Sequence, residues 1–173
     1  MVASFLLLSV GLSGLIVHFV PMLTDAGLPP ADAARLASLL GIAAIIGRLT
    51  VGWLLDRFFA PFIAVPIFLL AGVGCAVLAT AGVAAAPLAA IAVGLGAGTE
   101  YQLMGYLTAR YFPRHQYGRA YGWQFGAFAI GNGLSPLWIA AVHDRSGSYD
   151  AALLGSAVLM LVPSTLFLRL PKY

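Results

Sequence analysis

Apolar residues run along this chain in six long blocks, at about 2 to 23, 31 to 55, 61 to 82, 87 to 110, 117 to 141 and 150 to 170. Wound as a helix, about 20 residues rise about 30 Å, the thickness of a bilayer's hydrocarbon core. The pattern therefore predicts an all-α membrane protein of six transmembrane helices. The polar breaks between blocks carry helix-ending and helix-starting residues: Asp25, Gly27 and the Pro29-Pro30 pair after the first, and Gly147, Ser148 and Asp150 before the sixth. No stretch reads as a soluble domain, so residues 1–173 are expected to form a single six-helix bundle.

Composition strengthens this reading. Hydrophobic residues make up 61% of the chain and charged ones 9%, against about 25% charged in soluble domains. The one cysteine, Cys75, excludes an internal disulfide and any site of several thiolates; no metal and no cofactor is expected. A net charge of +3 raises the question of nucleic acid. The basic residues, however, are scattered at block ends and build no continuous basic face, so they report topology instead. Arg48, Arg57, Arg110, Arg114, Arg119, Arg169 and Lys172 fall on one side, and only Arg35 and Arg145 on the other. By the positive-inside rule both termini lie in the cytoplasm, with the protein multi-pass in the cytoplasmic (inner) membrane and the lipid bilayer as its first partner. The N-terminal block lacks a basic leader and outruns a signal peptide, so it reads as a retained helix.

Glu100 is the residue least expected from such a composition, since it stands near the middle of the fourth block. An acid at the bilayer midplane costs about 3 kcal/mol on the insertion scale, so it should face the protein interior or a wet cavity. At 100° per residue, Val93, Gly96, Ala97, Leu103, Met104 and Leu107 share its side, which is expected to line a cavity. Gly94, Gly98, Tyr101 and Gly105 form a separate stripe suited to helix packing. Two roles stay open for Glu100: proton coupling in a transport path, or a buried structural acid paired to Arg48 or a backbone group. Tyr101, Gln124 and Asn132 are polar groups at membrane depth that either touch substrate or bond between helices. His18 is either a titrating group at an external gate or an interfacial histidine beside Pro21. In the fifth block, Gly118, Gly122 and Gly126 recur every four residues, a stripe for close helix packing, and Ser135-Pro136 is expected to kink the helix.

Between the second and third blocks stands GRLTVGWLLDRF, Gly47 to Phe58, in which Arg48, Gly52 and Asp56 are spaced by four. This resembles the loop motif Gly-x-Leu-Ala-Asp-Arg-x-Gly-Arg-Lys of the major facilitator superfamily. Gly52, Leu54, Asp56 and Arg57 match, Leu55 takes the Ala position, Phe59 replaces the second Gly and the basic pair is missing. The His18–Gly27 stretch, Glu100 with Tyr106–Phe112, Gly118–Gly122 and Asp144–Tyr149 look like parts of the seventh to twelfth helices of bacterial members, nearest the monocarboxylate and organic-anion branch. There Gln102 stands where members often carry an Asp two residues after the Glu. The resemblance implies the C-terminal half of a twelve-helix transporter, built of two inverted three-helix repeats, whose first and fourth helices line the central path. It implies alternating access by two rocking bundles, a proton-coupled symport of a small-molecule substrate with an organic anion as the candidate, and a conformational role for Asp56 through contact with a neighbouring helix end. It also implies a partner: a missing N-terminal six-helix half, or a second copy.

Two other readings compete. Gly11-Leu12-Ser13-Gly14 matches the Gly-x-Ser-Gly of rhomboid intramembrane proteases, but His115 and His143 fall in predicted connections on opposite sides of the membrane, so no enzyme is expected. The other is a non-transporting fragment, since the chain opens directly in a helix.

Overall fold

In the computed structural model, which describes residues 1–172, the chain forms six α-helices: α1 (Val2–Asp25), α2 (Pro30–Leu55), α3 (Ala60–Ala81), α4 (Ala86–Tyr111), α5 (Tyr117–Ser146) and α6 (Asp150–Leu168). Proline stands in the first turn of α2, α3 and α4, where its missing N–H is no loss. Gly147 closes α5 in the left-handed conformation at φ 73°, its N–H returning to the His143 carbonyl. That cap lies several residues beyond the expected end near 141, because the polar His143-Asp144-Arg145 turn remains helical after the apolar pattern stops.

Among the described residues, five stretches are long and apolar enough to cross a membrane, not the six expected from the pattern. The reason is local. The stretch Ala60–Tyr111, of 52 residues, takes in both α3 and α4, since the 3-10 turn Gly82–Ala85 that joins them is itself apolar and leaves no polar break.

The strongest pairings are α2 with α4, α1 with α5 and α3 with α6, followed by α3 with α4 and α1 with α6. This set is unchanged when α1, α2 and α3 are exchanged for α4, α5 and α6. The tightest crossings obey the same exchange. On α1, a Cβ at Gly14 would lie 2.6 Å from the Ser135 carbonyl of α5, while on α4 a Cβ at Gly98 would strike the Ala44 carbonyl of α2. From the other side, Gly131 of α5 faces Ser9 of α1, and Gly47 of α2 faces Leu95 of α4 at 2.9 Å. Gly14 is separated from Gly98 by the same number of residues as Gly47 from Gly131. Small residues at a crossing let backbones approach, which drives helix association where lipid removes the hydrophobic gain.

The core between α1, α3 and α6 is aromatic: Phe5 meets Phe167 edge-on at 5.7 Å, and Phe167 stacks on Phe68 at 6.2 Å. Large apolar side chains elsewhere stay exposed, among them Ile45, Leu49, Trp53, Trp123, Ile130 and Leu137. On a membrane protein such a surface is met by lipid or another helix. The stripe Gly118, Gly122 and Gly126 belongs to this open surface. Among the described residues no atom lies within 4 Å of a Cβ built on any of the three, so the expected close packing is not made within the chain. Spacing fixed their common face, but not which way α5 turns it.

Candidate functional site

The expected assignment of faces on α4 holds only in part. Gly94 and Gly98 press on α2, as a packing stripe should. One turn on, Tyr101 emerges from the same stripe and is 44% exposed. Its ring meets Phe128 of α5 edge-on at 4.9 Å, and the Arg48 guanidinium of α2 lies 5.2 Å from its centre. A cation over an aromatic face is held by the ring quadrupole. Gln102, next along, donates to the Arg48 carbonyl at 3.3 Å. Arg48, Tyr101 and Gln102 thus form one constellation where α2 and α4 meet, with Arg48 and Tyr101 open to the outside.

Glu100 points the other way and is 2% exposed. Gly96, one turn before it, faces Ala71 of α3 and Leu12 of α1, so this side of α4 looks into the bundle. Val93, Gly96, Leu103, Met104 and Leu107 on this side are buried together with Glu100, so the expected cavity wall is a packed face in this structure. Glu100 Oε1 is buried without a hydrogen-bond partner. Its expected alternative partner, Arg48, is engaged with Tyr101, and no Arg48–Glu100 ion pair forms among the described residues. Gln124 bonds between helices, Asn132 within its own. Gln124 Nε2 donates to Thr108 Oγ1 at 2.9 Å and Asn132 Nδ2 to the Phe128 carbonyl at 3.2 Å.

The Arg48–Asp56 stripe ends at the boundary of α2. Gly52 faces Gln102 with room to spare, Asp56 is the exposed C-cap, and the Arg57 guanidinium lies 3.8 Å over the Trp53 ring. Asp56 and Arg57 open onto a concavity of about 340 Å³ shared with Phe62, Tyr106, Arg110 and Lys172. Among the described residues Asp56 takes part in no ion pair.

At the opposite end the structure gathers residues that the sequence left apart. His18 Nε2 lies 3.2 Å from the Pro136 carbonyl and its Nδ1 3.4 Å from the Tyr149 hydroxyl. His143 stacks on Tyr149 with centroids 4.2 Å apart, and its two ring nitrogens face Asp25 at 3.5 Å and Asp144 at 3.8 Å. Burial first, then the Asp25 and Asp144 carboxylates, push the Tyr149 phenol above its ordinary value of 10.0. His18 and Asp25 stand more than 110 residues before His143, Asp144 and Tyr149, so only tertiary packing brings the two groups together. Ser135 was also unforeseen in its role. Its hydroxyl accepts from the Gly14 amide at 2.6 Å and donates to the Val10 carbonyl, bridging both ends of one helical bond position in α1. In the Gly-Leu-Ser-Gly run, Gly11 and Gly14 serve as contact points for α6 and α5.

The sequence profile of the Major Facilitator Superfamily matches residues 1–172. The chain belongs to the major facilitator superfamily. Among curated proteins, it is similar to Monocarboxylate transporter 12 of Xenopus laevis, 31% identical over 169 residues, covering 94% of this chain and 36% of that protein. It is also similar to Monocarboxylate transporter 12-B of Danio rerio, 48% identical over 54 residues, 31% of this chain and 11% of that protein. Among solved structures, the E. coli fucose:proton symporter superimposes with a TM-score of 0.77 at 19% identity, over 96% of this chain and 41% of that one. The chain thus spans well under half the length of these major facilitator relatives. Membership and membrane-length helices together make it a multi-pass membrane protein of this fold.

Proposed function

We propose that this chain is the C-terminal six-helix half of a major facilitator transporter, moving a small organic anion by alternating access with proton coupling at Glu100. The observation that carries the substrate class is Arg48: an always-charged guanidinium, exposed on the open side of α2 and held over Tyr101. An anion needs such a donor, since charge-assisted hydrogen bonds are the strong ones. The acid at Glu100 then no longer conflicts with an anionic substrate, because it faces the bundle interior while Arg48 and Tyr101 face out. Monocarboxylate is the candidate within the class, by similarity to the transporters named for it.

Six crossings arranged as two inverted three-helix repeats are the finer reading of the fold. It is supported by helix pairings that survive exchange of α1–α3 for α4–α6, and by the break at Gly82 inside the 52-residue apolar stretch. The open surface of α2 and α5, with the Gly118, Gly122 and Gly126 stripe, is where the other half would pack, a missing N-terminal half being favoured over a second copy. Inner-membrane location with both termini cytoplasmic rests on the distribution of basic residues.

Uptake into proteoliposomes by the assembled transporter, with the other six helices supplied, tests this. Arg48→Gln should raise the apparent Km for a small carboxylate by about 10- to 100-fold, the loss of one hydrogen bond to a charged group, and Arg48→Lys should recover part of it. Glu100→Gln should abolish accumulation against a gradient and spare exchange, which needs no net proton movement. Accumulation by the Gln variant with wild-type pH dependence would make Glu100 structural, and an unchanged Km at Arg48→Gln would remove the anion assignment.

A further inference from the structure

At the end of the molecule where α1 stops and α6 starts, one imidazole faces two carboxylates. His143 of α5 presents Nε2 to Asp25 at the end of α1 and Nδ1 to Asp144 of its own helix, while its ring lies flat on Tyr149 at the start of α6. A neutral imidazole has one N–H and one lone pair, so it can favour only one of these carboxylates and must turn its lone pair to the other. An imidazolium presents an N–H and its positive charge to both carboxylates, which lie at ion-pair distance. The geometry therefore distinguishes the two protonation states of His143.

We infer that Asp25, His143 and Asp144 form a proton-sensitive latch that holds the end of α1 against α5 and α6, closed when His143 is protonated. Histidine is the side chain that changes charge between about pH 5 and 8. The Asp25 arm is the one that crosses elements. When the proton leaves, that arm loses its charge partner; among the described residues the polar contacts left between this end of α1 and other helices are Tyr149–His18 at 3.4 Å and His18–Pro136 at 3.2 Å, beside the buried Phe19, Met22 and Leu23.

The other charged groups at this end do not take over the role. Asp150 at the start of α6 accepts from the Ser148 hydroxyl at 3.2 Å, and Asp32 and Arg35 of α2 pair with each other at 3.1 Å. Arg145 of α5 is exposed. The turn between α3 and α4 contributes only Gly82 and Val83 to the pocket of about 240 Å³ beneath the latch, whose floor is Met22, Leu23, Leu78 and Leu153. Opening the latch would uncover this apolar floor.

The test is a distance between spin labels on Gly27 and Ser148, in the purified chain with Cys75 replaced by Ala, measured at pH 5.5 and 8.0. The wild-type background should show a narrow distribution at pH 5.5 and a two- to fivefold larger open fraction at pH 8.0, the scale of an exposed ion pair. His143→Gln should give the open fraction at both values, and His143→Arg, always charged, the closed one at both. Asp25→Asn should abolish the response, whereas Asp144→Asn should only reduce it. Circular dichroism must show unchanged helix content in each variant, which separates unlatching from unfolding. A wild-type distribution that ignores pH, or a response that persists in His143→Gln, overturns the latch; the second result assigns the response to His18.

Discussion

A buried polar side chain in a membrane protein matters through what satisfies it. Thr108 accepts from Gln124 and donates to the Met104 carbonyl, so it uses both capacities of its hydroxyl, whereas Gln124 Oε1 is buried with no partner. The two ends of this hydrogen bond should therefore respond differently. Thr108→Val keeps the shape but strips Gln124 of an acceptor, and should cost about 1–3 kcal/mol. Gln124→Met removes an unsatisfied oxygen together with the donor, and should stay within about 1 kcal/mol. Thermal unfolding in detergent checks both; equal losses would show that the unpaired oxygen finds a partner in the membrane. The same residue-scale lesson applies to Glu100. Its depth follows from counting along a helix, but its orphaned Oε1 could be known only once α1, α3 and α4 were packed.

Helix crossings divide the glycines of this chain into two kinds. Gly98 touches the backbone of α2, so Gly98→Ala must push α2 and α4 apart and should cost about 1–3 kcal/mol, the usual penalty of overpacking. Gly122→Ala meets nothing within 4 Å among the described residues, and should be neutral or slightly stabilising in the isolated bundle because Ala has the better helix propensity. Placed in the assembled transporter, the same Gly122 change should weaken association if the stripe packs on the other half. Unfolding midpoints with and without the partner separate these outcomes. At the end of α2, Asp56→Asn should leave insertion intact and shift the balance of inward and outward states in the assembly, since it removes an acid without altering shape. State populations unmoved in a spectroscopic assay would reduce Asp56 to a topological anchor.

For the molecule as a whole, orientation is the property most directly open to test. Cysteines at Gly27, Ala84 and Gly147 should be reached by an impermeant reagent from outside, and those at Phe58 and Gln116 should not, because the basic residues gather at the even-numbered connections. All five positions are exposed, and Cys75 is buried and so stays silent. Ala60, nearer the start of α3, is fully buried and would report nothing from either side. The reverse labelling pattern would turn the protein over in the membrane and move the His143 latch to the cytoplasmic end.

What the sequence determined by itself was whatever depends on one helix at a time. Block length sets the spans, proline and glycine set most ends, a 100° turn sets which residues share a face, and GRLTVGWLLDRF carries the family. What only the tertiary structure decided was which faces meet. The glycine stripes of α4 and α5 read alike in sequence, yet Gly94 and Gly98 are pressed against α2 while Gly118, Gly122 and Gly126 stand open. Nothing in a helix's own period specifies its rotation about its axis, because that rotation is settled by the neighbours it packs against. For the same reason Tyr101 and Glu100, adjacent in the chain, part company: a 100° step carries one to the open side beside Arg48 and the other into the core. The cluster of Asp25, His143 and Tyr149 was beyond reach of any local pattern, since its members come from α1, α5 and the start of α6 and meet only when those helix ends converge.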